Sequence, residues 1–178
     1  MSELVDVLDE NGNKTGRVAT RRECRANSYW HRLAVVFVVN DDGEILLQKR
    51  SPNKAAFPGC WDKSVGGGLL AGEMPAQAAV RETGEEIGLA ISEKDLIHIG
   101  TVRDICHEPE GVINMFFDLF VLRSNRKASE IAFSSEEITD LKFVSIEWLK
   151  KHARDGNPEN AILWDAMWRK LEYWLGKN

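Results

Sequence analysis

Three glutamates in the stretch GEMPAQAAVRETGEEIG, residues 72–88, have a spacing that invites chemistry. Read as a helix at 3.6 residues per turn, Glu82, Glu85 and Glu86 fall within about one turn and share one sector. Ala76, Ala79, Val80, Thr83 and Ile87 fall on the adjoining sector, which would pack on a sheet. Like charges three or four residues apart weaken a helix by a few tenths of a kcal/mol per pair. The acidic face is therefore either solvated or has a task that outweighs the repulsion. Clustered carboxylates raise one another's proton affinity. A hard divalent cation such as Mg²⁺ or Mn²⁺ prefers their oxygens and turns the repulsion into ligation.

The surrounding residues decide between these readings. Gly67 is followed by five residues and then Glu73, and seven more lead to Arg81-Glu82. Thr83, Gly84, Glu85-Glu86, Ile87, Gly88 and Leu89 follow. This run resembles the Nudix box, the signature of the Nudix hydrolases, at all seven fixed positions. With each residue type at about 7%, such a match arises by chance on the order of once in 10⁸ starting points. Thr83 stands where that family usually has a bulky aliphatic. "ILLQKR", "FPGCWDKSVGGGLLAGE" and the opening "VDVLDENGNKTG" are also similar to the branch related to isopentenyl diphosphate isomerase. The likeness covers roughly residues 4 to 150.

The resemblance implies that Glu82, Glu85 and Glu86 are metal ligands or, for one of them, the base that takes a water's proton. It adds the Gly67 carbonyl as a ligand, with Arg81 and Glu73 orienting the glutamates. The implied cofactor is Mg²⁺ or Mn²⁺, and the implied partner a small-molecule diphosphate, a nucleoside diphosphate linked to some group X. The isomerases instead use a cysteine before the box and a later glutamate. Alignment puts these at Gly66 and near Met115, and a nearby histidine at Gly68. Neither glycine nor methionine moves a proton, so hydrolysis is expected rather than isomerisation. A binding module without activity would be expected to have lost box glutamates, and all are present.

Other residues are weighed singly. Lys49 and Arg50 end a strand, and alternation puts only one on the site side; Arg50 is the expected phosphate contact. Glu136 and Glu137 lie where many relatives supply an extra glutamate from a loop; a helix-cap or surface role is the alternative. His31 occupies the position of an isomerase metal ligand but lacks its partners, so a structural role is expected. Cys60 reads as a packed loop thiol. Trp30 and Trp61 are candidates to stack on a base, or simply buried. The substrate loops are expected around residues 51 to 65, 103 to 112 and 125 to 138.

These residues need a scaffold. "HRLAVVFVVN" is a continuous Val-rich run and reads as a buried strand, followed by a turn and the strand "ILLQKR". "SPNKAAFPGCWDKSVGGG" reads as a loop, because prolines and glycines interrupt any period. "LIHIGTV", "INMFFDLFVL" and "EITDLKFVSI" read as further strands, "EWLKKHAR" as a helix and "TRRECRAN" as one helical turn. Strands with inserted and appended helices imply an α/β (α+β) fold. The family resemblance makes it an α/β/α sandwich on a mixed sheet. One domain over 1–178 is expected, with an N-terminal hairpin extension at 1–28, the box at 67–89 and a C-terminal helix at 158–176. Trp164, Trp168, Leu171 and Leu175 form a stripe of that helix, for core packing or a homodimer contact.

Composition narrows the function classes. Of 178 residues, 43% are hydrophobic and 29% charged, as in globular domains. The net charge of −5 argues against a general nucleic-acid or membrane surface. Three scattered cysteines without metal-type spacing, and an acidic start unlike a signal peptide, fit a cytoplasmic protein.

Overall fold

A computed structural model describes residues 3–54, 57–108, 111–152 and 165–177. The chain opens with an antiparallel hairpin of β1 (Leu4–Leu8) and β2 (Lys14–Thr20). Its turn is held by the Asp9 carboxylate, which accepts from the Asn11 and Asn13 N–H groups at 2.9 Å each. Gly12 sits there at φ +85, where a side chain would be strained. Thr20 and Glu23 form a reciprocal capping box that starts α1 (Arg21–Ala26). Cys24 of α1 is buried with Val5, Val7 and Ala19, which docks the helix on the hairpin.

Among the described residues, the main sheet has seven strands. They are β3 (His31–Val39), β4 (Ile45–Arg50), β5 (Trp61–Asp62), β6 (Val65–Gly68), β7 (Leu96–Glu108), β8 (Gly111–Arg123) and β9 (Ile138–Val144). The spatial order is β5-β4-β3-β8-β7, with β6 also on β3 and β9 on β4. β3 and β8 run parallel, His31 opposite Met115, and the other pairs are antiparallel, so the sheet is mixed. β3 explains the unbroken apolar run. Ala34, Val36 and Val38 face α2 (Pro75–Ile87), while Val35, Phe37 and Val39 face α3 (Ile146–His152) and α4 (Asp165–Leu175). The result is the expected three-layer α/β/α arrangement.

Several boundaries differ from the sequence reading. The stretch 51–68 is not all loop: Asp62 pairs with Gln48, and Ala34 with Gly67. Cross-strand partners override the glycines and proline that suggested irregular chain. Residues 103–108 belong to strand β7 rather than to a loop. The last helix is described from Asp165; residues 158–164, Trp164 among them, lie outside the described residues. Trp168 and Leu171 are buried in the core and Leu175 packs against it, so this part of the stripe is used within the fold. Among the described residues, no helix is long and apolar enough to cross a membrane.

Candidate active site

The acidic helix is well bounded. Pro75 takes its first turn, where a missing N–H costs little, and Gly88 ends it at φ 62 in the left-handed region. Ala78, Ala79, Thr83 and Ile87 are buried toward the sheet. Thr83, too small to fill an aliphatic's place, donates its hydroxyl to the Ala79 carbonyl at 2.6 Å. The three glutamates share one sector of the helix but not one environment. Glu82 and Glu86, four apart, are buried at 8% and 6% exposure, while the Glu85 side chain is 59% exposed. Docking on the sheet drew in one edge of the acidic stripe and left the other in water.

Arg81 is the hub of this face. It donates to both Glu73 oxygens at 2.9 and 2.8 Å, to Glu82 at 2.8 Å, to Glu85 at 3.2 Å and to the Gly68 carbonyl at 3.0 Å. The bond with Glu73 above all raises the affinity of its guanidinium for its proton, so Arg81 stays charged. Glu73 also accepts from the Leu70 N–H at 2.8 Å. Burial pushes the Glu82 carboxyl up, against the pull of Arg81 and Arg21.

Glu86 lies deepest. Its Oε2 accepts from Gln48 Nε2 at 3.1 Å and from the Gly66 N–H at 3.3 Å. Burial first, then the charges of Glu82 and Glu137, push its carboxyl up to about 8. Burial therefore outranks the helix-neighbour repulsion inferred from spacing, and Glu85 is not among the main causes. At Gly67, a Cβ would fall on the Glu82 carboxylate, so the strand backbone approaches the acids only because residue 67 has no side chain.

Cations face these acids. Asp62, 2% exposed, pairs with Arg50 Nη1 at 3.2 Å and with Lys63 Nζ at 3.2 Å. Lys54 pairs with Glu137 at 2.7 Å. Both groups, with Glu82, Glu85, Glu86 and Glu136, line one cavity of about 800 Å³, within the range of ligand sites. Arg50 lines it and Lys49 does not. Lys49 instead sits over the Trp61 ring at 5.8 Å. Arg21, Arg22 and Arg25 of α1 bring the N-terminal extension into the cavity wall, a contribution no sequence signal marked. Its floor is the sheet face of Leu33, Ile113, Met115 and Phe117.

The remaining candidates separate clearly. His31 lines the cavity but is 6% exposed, and burial holds its ring below the usual histidine pKa, which suits a structural role. Trp30 packs on Phe116 at 5.1 Å and Trp61 on Lys142 at 3.9 Å; neither lines the cavity, so neither is placed to stack on a base. Cys60 is half-buried outside it. Among the described residues, no three His, Cys, Asp or Glu side chains converge closely enough to enclose an ion as they stand. Glu82 turns to Arg81, Glu86 to Gln48 and Gly66, and Glu85 outward. The donors nonetheless suit a divalent cation in kind: they are hard oxygens, and two are buried carboxylates that hold their protons too tightly.

The NUDIX domain family model matches residues 30–164. The chain belongs to the Nudix family. An uncharacterized Nudix hydrolase of Listeria monocytogenes is 36% identical over 146 residues, 82% of this chain and 81% of the relative. An isopentenyl-diphosphate Delta-isomerase of Streptomyces avermitilis is 34% identical over 155 residues, 85% of this chain and 76% of the relative. A solved structure from Deinococcus radiodurans shares the fold at TM-score 0.70 and 24% identity, covering 96% of this chain and 98% of that one. As a Nudix hydrolase, the protein is an enzyme of phosphoric anhydride hydrolysis, of a family that acts on small molecules with divalent metal cations.

Proposed function

We propose that this Nudix hydrolase cleaves a diphosphate linkage in a nucleoside diphosphate derivative, with Mg²⁺ or Mn²⁺. The observation that carries the reading is the pair of buried glutamates, Glu82 and Glu86, facing Arg50 and Lys54 across one cavity. Glu82 and Glu86, with the Gly67 carbonyl, would hold the metal, and Glu85 would join from the rim. A bound divalent ion supplies charge neutralisation on the phosphate oxygens and a more acidic water. Arg81 and Glu73 fix the glutamates, as a ligand set needs support from behind. Arg50 and Lys54 bind diphosphate oxygens. Glu137, whose charge is felt at Glu86 from the loop before β9, receives the water's proton, and Glu136 stands at the rim. The apolar floor takes the nucleoside or X. Residues 1–178 act as one unit, the extension at 1–28 forming a wall of the cavity. The chain's three scattered cysteines support a reducing, cytoplasmic setting.

The isomerase-named relative motivates a second reading. Against it, the two positions aligned with the isomerases' proton carriers, Gly66 and Met115, both line the cavity, and neither side chain titrates. The test is a screen of nucleotide sugars, dinucleotides, coenzyme derivatives and nucleoside triphosphates with Mg²⁺ or Mn²⁺, with isopentenyl diphosphate as a further arm. Hydrolysis that needs added metal is expected. Conversion of isopentenyl diphosphate at about 1 per second or faster would reverse the choice.

A further inference from the structure

With Trp30 and Trp61 outside the cavity, another aromatic stands in its wall. Among the described residues, the lining holds two phenyl rings, Phe57 and Phe117. Phe117 is 2% exposed and belongs to the core. Phe57 is 40% exposed, an apolar ring in a lining otherwise rich in charge. It belongs to none of the hydrophobic clusters among the described residues.

The backbone at this residue is the stronger sign. Phe57 sits at φ 52, in the left-handed region, although it is bulky and precedes a proline. Both features disfavour that conformation. The turn that follows does not require it. Cys60 donates its N–H to the Phe57 carbonyl at 3.4 Å, with proline second and glycine third, the pattern of a type II turn. That pattern accounts for Pro58 and Gly59 and asks nothing of the residue before them. The flanks of the loop are pinned. Gly59 donates its N–H to the Arg50 carbonyl at 3.2 Å, Arg50 to Cys60 at 2.9 Å and Ser51 to Glu137 at 2.8 Å. A bulky residue keeps such a backbone only where its surroundings hold it, and strain of this kind gathers at ligand-binding positions. We infer that Phe57 is a specificity-determining residue, whose ring stacks on the base of the nucleoside diphosphate derivative. Lys54, a phosphate contact in the proposed function, is three residues away, so no more than about 11 Å of chain separates the two. One nucleotide can bridge them, and X then falls to the apolar floor. Every base has a π-face, so this contact selects nucleosides over aliphatic groups rather than one base over another.

This rests on the nucleoside diphosphate reading, and the experiment separates the two. Calorimetry with Mg²⁺ compares methylenediphosphonate with the α,β-methylene diphosphates of adenosine, guanosine, cytidine and uridine. The proteins are the parent, Phe57→Ala, Phe57→Leu, Phe57→Trp and Phe57→Gly, each also followed by thermal melts. The parent should bind at least one nucleoside analogue more tightly than methylenediphosphonate. Phe57→Ala should weaken that analogue about 5- to 100-fold and leave methylenediphosphonate unchanged. Phe57→Leu, apolar but without a π-face, should lose nearly as much, and Phe57→Trp should keep the affinity. Phe57→Gly should lose it with a melting temperature no lower than the parent's, since glycine accepts the left-handed backbone. Nucleoside binding unchanged in Phe57→Ala, or retained in Phe57→Leu, overturns the proposal. So does an equal loss of methylenediphosphonate, or a lower melting temperature in Phe57→Gly, which would mark the ring as packing. A parent that gains nothing from any of the four nucleosides removes the nucleoside reading and this inference together. Nucleotide hydrolysis in the screen with Phe57→Ala binding as tightly as the parent removes this inference alone. Analogue binding through Phe57 with no diphosphate hydrolysed removes the hydrolase reading alone.

Discussion

The two walls of the cavity are built on opposite plans. On α2, one cation, Arg81, gathers three carboxylates: Glu73, Glu82 and Glu85. On the β4–β5 side, one carboxylate, Asp62, gathers two cations, Arg50 and Lys63. Each cluster thus has a hub of the opposite sign. The acid hub is the more buried, 3% exposed at Asp62 against 21% at the Arg81 side chain. The comparison teaches that like charges can be concentrated at a site when one opposite charge is shared among them. It also assigns the walls different work. Under the proposed function, the carboxylate wall would handle metal and water, and the cation wall would hold the substrate's phosphates.

The largest effect is expected at Glu86. Glu86→Gln should lower hydrolysis on the order of 10³-fold, because an amide is a poor ligand for a hard cation. The same variant tests the electrostatics without metal. The Glu86 carboxyl is raised in the folded chain, so the folded state binds its proton more tightly than the unfolded one. Stability of the metal-free protein should fall as pH rises from about 4.5 through about 8, by a few kcal/mol, and Glu86→Gln should flatten that slope. Melts from pH 5 to pH 9 in chelator read this directly; parallel curves for parent and variant would refute it.

Breaking the other hub gives a smaller and different loss. Asp62→Asn leaves Arg50 and Lys63 without their shared anion, and should raise KM about tenfold while kcat changes less. A fall confined to kcat would mean that the walls do not divide the work as described. The smallest effect belongs to Glu85→Gln. Its carboxylate is mostly in water and its bond to Arg81 is worth little, so stability should change by less than about 0.5 kcal/mol. Activity should drop about tenfold, well short of Glu86→Gln; an equal loss would make Glu85 an inner ligand.

The same contrast explains what the sequence disclosed. The acid wall lies within residues 73–86, so its residue types and intervals are local and readable. The cation wall joins residue 50 to residues 62 and 63 across a loop, through strand pairing that glycine and proline disguised. Arg50 was legible from strand alternation, but Asp62 and Lys63 carried no periodic signal. Nor did Arg21, Arg22 and Arg25, which reach the cavity only because the hairpin carries α1 there. Helical spacing was silent on one point. It put Glu85 with Glu86, and only the docking angle of α2 on the sheet separates a buried acid from an exposed one.

The parallel pairing of β3 with β8 has a consequence for the order in which the molecule forms. His31 meets Met115 and Val39 meets Arg123, so closing this one contact spans most of the middle of the chain. Contacts of such long range form slowly, since the entropy of closing the loop is spent before the pairing returns it. On a ribosome, the hairpin, α1 and the complete box emerge while the cavity still has no floor. β9 and the loop bearing Glu137 follow later still. A nascent chain halted before residue 115 therefore carries every motif glutamate and no place to use them. On this geometry, activity would arrive with the second half of the sheet rather than grow with the chain.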